Sequence, residues 1–74
     1  MEGRTTETEA PQKALVTFVD PSGTPRAYAM GPASDMDALR EEARFHLEAY
    51  LLEKALLGDP LANARFVRRE QFVA

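Results

Sequence analysis

Glu42, His46 and Glu53 are the side chains of this sequence whose types and spacing suit a metal ion. Glu42 and His46 stand four residues apart, one turn of a helix, so an imidazole and a carboxylate would share a face, with Glu53 farther along the same seam. One imidazole with one or two carboxylates would hold zinc only if a second subunit added ligands. The ExxH spacing of di-iron bundles is absent. The plainer reading is a solvated helical pair, and no metal or other cofactor is expected.

Arg65, Arg68 and Arg69 form the one basic cluster, where three Arg against Glu70 give a local charge of +2 over Ala64 to Ala74. On a strand, Arg65 and Arg69 would share a face with Val67, and Arg68 would point the other way. With Phe66 or Phe72 interleaved, such a cluster could meet a phosphate backbone or an acidic partner; arginines on an edge strand also serve simply to solvate it.

Covalent catalysis has little to build on. The chain has no Cys, one His, and two serines, Ser22 and Ser34, which sit where a turn and a helix cap would use them. Gly23, Gly31 and Gly58 stand singly at element ends and match neither the P-loop nor the dinucleotide fingerprint. The expectation is a protein that is not an enzyme.

These groups are positioned by one long element. Ser34 to Leu57, SDMDALREEARFHLEAYLLEKALL, predicts a helix of about 35 Å. Ser34 and Asp37 are spaced as a capping box, and Asp35 and Asp37 put negative charge at the positive end of the helix dipole. Gly58 suits the left-handed residue that closes a helix, and Pro60 prevents its continuation. On a helical wheel Met36, Leu39, Ala43, Leu47, Tyr50, Leu51 and Leu57 form a core-facing stripe. A second apolar arc, on roughly the opposite side, collects Ala38, Phe45, Ala49, Leu52 and Leu56.

Before the helix, Ala14 to Val19 predicts a strand, Asp20-Pro21-Ser22-Gly23 a type I turn closed by a glycine bulge, and Thr24 to Met30 the partner strand. The register this turn favours sets Val16 opposite Tyr28 and Ala14 opposite Met30, with Phe18 on the same, helix-facing side. Leu15, Thr17, Val19, Ala27 and Ala29 then line the other face. Pro25 suggests an open edge at the start of the second strand. Gly31-Pro32-Ala33 reads as the linker to the helix.

After the helix, Asp59 and Pro60 predict a short helical turn through Asn63, and Arg65 to Val73 a third strand, because Phe66, Val67, Phe72 and Val73 form no helical stripe. Met1 to Gln12 reads as a disordered tail, too poor in apolar side chains to offset the entropy of ordering. Residues 13–74 form the single domain. In element order, the hairpin and the helix carrying Ser34, Leu39, Ala43, Leu47 and Tyr50 resemble the HicB-type antitoxin domain across Ala14 to Leu57. No shared motif carries the likeness, and Met30-Gly31-Pro32-Ala33 stands where that family continues into a Pro- and Gly-rich segment, so the chain is not assigned to it.

The reading is therefore an α+β protein of ββαβ order with one two-faced helix. At 74 residues and a net charge of −3, it is near the size at which one core barely suffices and is not basic enough to coat nucleic acid generally. The absence of Cys, of a secretory leader and of a membrane-length apolar run points to the cytoplasm. Phe45, Ala49, Leu52 and Leu56 are the expected dimer interface, with the protein itself as first partner and another protein as a second. A small non-enzymatic homodimeric binding or regulatory protein is the function expected. The alternative is a nucleic-acid-binding regulator using Arg65, Arg68 and Arg69.

Overall fold

In the computed structural model, which describes residues 13–73, β1 (Lys13–Val19) is the central strand of a three-stranded antiparallel sheet of order β2-β1-β3. β2 (Pro25–Pro32) and β3 (Val67–Val73) are its edges, and α1 (Met36–Leu56) lies across one face. The α+β class and the ββαβ order agree with the sequence reading. The tail expected over Met1 to Gln12 lies outside the described residues.

The β1–β2 turn forms as its residues dictate. Gly23 N–H donates to the Asp20 carbonyl at 2.8 Å, and Gly23 takes φ +88°, a conformation glycine adopts without strain. The register beyond the turn differs from the expected one. Val19 pairs with Pro25 as the turn predicts, but Phe18 then pairs with Ala27, Val16 with Ala29 and Ala14 with Gly31. Arg26 is the extra residue of a bulge, and it flips every later residue of β2 to the opposite side.

Ala27 and Ala29, and not Tyr28 and Met30, therefore lie beneath the helix. The physical reason is distance. Ala14, Val16, Phe18, Ala27 and Ala29 pack with Leu39 and Ala43 in a thin core. A Cβ placed on Gly31 would stand 2.9 Å from Leu39 Cδ2, closer than packed carbon atoms approach. Small side chains on β2 let the helix descend onto the sheet; Tyr28 and Met30 would hold it away. Gly31 accordingly belongs to β2 itself rather than to a linker.

The start of the helix also differs from expectation. A 3₁₀ turn, Ala33–Asp35, precedes α1, so Ser34 lies inside a helical turn instead of adopting the extended backbone of an N-cap. Neither that turn nor α1 has a side-chain cap bond. Asp37 meets Arg40 Nη1 at 3.2 Å instead. The other end closes as expected, with Gly58 at φ +72° donating to the Ala55 carbonyl and Asp59 N–H to the Lys54 carbonyl, a Schellman motif. Asp59 then caps a 3₁₀ turn, Pro60–Asn63, by accepting from Leu61 N–H at 2.9 Å.

Of the expected inner stripe, Leu39 and Ala43 are buried, Met36, Leu47, Tyr50 and Leu51 are half-buried, and Leu57 is exposed. Leu57 is the C-cap residue, one position beyond the last residue of the helix. β3 begins at Val67, so Arg65 lies in the approach to the strand and not within it.

Candidate interaction surface

α1 holds Phe45, Ala49, Leu52 and Leu56 on the side away from the sheet, because Leu39, Ala43 and Leu47 take the inner side at the same helical period. Phe45, Leu52 and Leu56 are 67, 62 and 79 % exposed, and Ala49 is exposed as well. Four carboxylates rim this stripe, Glu41 and Glu48 along one side and Glu42 and Glu53 along the other, all exposed. His46 approaches Glu42 at 3.6 Å and packs edge-on to the Phe45 ring, with centroids 5.9 Å apart.

A second apolar surface lies on the opposite side of the molecule. The register stacks Thr17 between Tyr28 and Arg69, and Leu15 between Met30 and Gln71, on the face of the sheet that the helix leaves open. Tyr28 and Met30 are 62 and 56 % exposed. A shallow depression of about 740 Å³ is lined there by Leu15, Thr17, Val19, Pro25, Tyr28 and Met30. The sequence places Leu15, Thr17 and Val19 on this second face and marks it as apolar and partly covered, but sets Ala27 and Ala29 beside them where the structure has Tyr28 and Met30. The signal available was the run of small residues at Ala27, Ala29 and Gly31, whose two-residue spacing marks the side of a strand that another element approaches closely.

The three arginines are not brought together. Arg68 shares the helix-facing side with Glu70 and lies 3.2 Å from its carboxylate, Arg69 is on the open face, and Arg65 precedes the strand. Glu70 is the hub of that side, since Arg40 Nε and Nη2 reach its two carboxylate oxygens at 2.7 and 3.1 Å. This forked pair holds β3 to α1. The Arg40 bonds keep the Glu70 carboxyl below the usual range against the opposing effect of desolvation, and the same pair raises the Arg40 guanidinium.

Among the described residues no three His, Asp or Glu side chains come together as metal ligands, and Glu53 does not join the Glu42–His46 pair. Ser22, the serine assigned to the turn, donates through both its N–H and its hydroxyl to Asp20. No helix among the described residues is long and apolar enough to cross a membrane. Set against known proteins, the chain matches no family model, no curated protein and no solved structure.

Proposed function

We propose that this chain is a small non-enzymatic binding or regulatory protein that acts as a homodimer in the cytoplasm, with Phe45, Ala49, Leu52 and Leu56 as the interface. The observation that carries this reading is the exposure of three large apolar side chains in register along one helix. Burying such a side chain stabilises by roughly 1.5–3 kcal/mol. The intramolecular core of this domain is small, so a second copy covering the stripe would add a substantial fraction of its stability.

Sedimentation and light scattering test it. The wild type is expected at twice the monomer mass or above, and Phe45→Glu or Leu52→Glu at the monomer mass with its circular dichroism retained. A wild type that stays monomeric at every concentration overturns the reading.

A second reading, a nucleic-acid-binding regulator, draws on Arg69 standing on the same open face as the exposed ring of Tyr28. It also retains Arg65 beside the strand. It predicts binding to single-stranded DNA or RNA that weakens steeply with salt, and no gel shift at low salt would remove it.

A further inference from the structure

Resting on the reading that the helix stripe is covered by a second copy, we infer that the surface covering it is the open sheet face of that copy, so that the contact is heterologous, helix of one chain on sheet of the next. Three observations carry this. The first is charge. Glu41, Glu42, Glu48 and Glu53 border the stripe, with Arg44 as the basic side chain on its flank, so two stripes laid against each other would bring eight carboxylates into one interface. The open sheet face has the complementary sign. Its strands display Lys13 and Arg69; Glu70 also borders the depression, but its carboxylate is bound by Arg40 on the helix side, so among the described residues no strand carboxylate side chain is turned to this face.

The second observation is fit. Phe45 to Leu56 spans about 17 Å of helix axis at ~1.5 Å per residue, and a seven-residue strand runs about 23 Å at ~3.3 Å per residue. The stripe is thus no longer than the sheet that would receive it. The third is that each chain has both halves of the contact exposed, on opposite sides of the molecule. One kind of interface covers both. The sheet would then lie between two helices, its own across Ala27 and Ala29 and its neighbour's across Leu15, Tyr28 and Met30.

A heterologous contact between opposed faces does not close on itself at two copies, so on this inference the homodimer proposed above is the shortest member of an open series. A pair keeps one free stripe at one end and one free sheet face at the other, and its mass grows with concentration. That property gives a test which separates this inference from the reading beneath it. Leu52→Glu spoils the stripe and leaves the sheet face; Met30→Glu spoils the sheet face and leaves the stripe. Both positions are exposed, so the fold is expected to survive, as circular dichroism would show; Leu56→Glu with Tyr28→Glu is a second pair should either variant fail to fold.

Each variant alone is expected to sediment as a monomer, and an equimolar mixture as a one-to-one pair of twice that mass, capped at both ends. If Met30→Glu still dimerises alone while Leu52→Glu does not, the stripe meets another stripe and the inference is overturned while the homodimer stands. Two monomeric variants that fail to pair on mixing also overturn it. A wild type that never associates, or a Leu52→Glu chain that associates as the wild type does, overturns both.

Discussion

Arg26 Nε donates to Asp20 Oδ2 at 2.9 Å, joining the bulge residue of β2 to the first residue of the turn. The other carboxylate oxygen of Asp20 accepts the Ser22 N–H and hydroxyl at 2.9 and 2.7 Å and the Thr24 N–H at 2.9 Å. One buried carboxylate therefore holds both the turn that reverses the chain and the bulge that decides which side chains of β2 face the helix.

Asp20→Asn is expected to lower the thermal midpoint at neutral pH. The Ser22 hydroxyl, followed by the Thr24 N–H, holds the Asp20 carboxyl well below its ordinary value of 3.8, with burial opposing and Arg26 adding to the effect. Its folded pKa is depressed. The stability it contributes is therefore present above about pH 3.8 and is lost as pH falls below that value toward the folded pKa. Midpoints of the wild type and of Asp20→Asn should draw together on acidification; an equal gap at pH about 7 and about 2 would sink the argument.

Gly31→Ala puts a methyl group against Leu39, which is 4 % exposed and has no solvent to retreat into. Overpacking of this kind costs about 1–3 kcal/mol. Leu39→Ala, which instead leaves a void, costs about 2–5 kcal/mol. In the double variant the added methyl group occupies part of the space vacated. Urea denaturation should show the pair less destabilised than the two single effects together, and strict additivity would show that the two groups do not compete for one space.

Glu70→Gln weakens the fork from Arg40 that holds β3 to α1. Hydrogen exchange is expected to quicken at the β3 amides, with the β1–β2 amides much less affected. Uniform quickening across all three strands would mean that Glu70 supports the whole fold and not the attachment of one strand.

Arg26 and Lys54 lie 6.0 and 5.3 Å from the Tyr50 ring centroid, with Phe66 edge-on at 6.2 Å. The Tyr50 hydroxyl is buried and finds no hydrogen-bond partner among the described residues. Tyr50→Phe keeps the ring and removes a desolvated polar group, so stability should hold or rise, by up to about 1–3 kcal/mol. A loss of that size would mean that the hydroxyl is hydrogen-bonded in solution.

What was legible in the sequence was local chemistry. Gly23 and Gly58 adopt positive φ where a turn and a helix end were expected, because each of those backbone shapes depends on a few adjacent residues. What was not legible depended on distant packing. Arg26 becomes a bulge through its bond to Asp20 and because the helix needs Ala27, Ala29 and Gly31 beneath it; the turn residues do not announce the bulge, and the two-residue spacing of those small side chains is its one trace in the sequence. The outer stripe of the helix was visible from its period alone, whereas the open face with Tyr28 and Met30 appears only once the register is known. Arg65, Arg68 and Arg69 looked like one cluster because they are close in sequence, and strand alternation with a late strand start separates them.

The central position of β1 has a kinetic consequence. Its pairing with β2 joins residues a few positions apart across a tight turn, whereas its pairing with β3 joins Val19 to Val67 and encloses the entire helix. The second pairing has the larger loop-closure entropy, so β3 is expected to dock last in folding and to leave first in local opening. When it leaves, the backbone of β1 from Lys13 to Val19 loses its partner along a full edge, and the chain briefly offers a seven-residue template to any extended strand nearby.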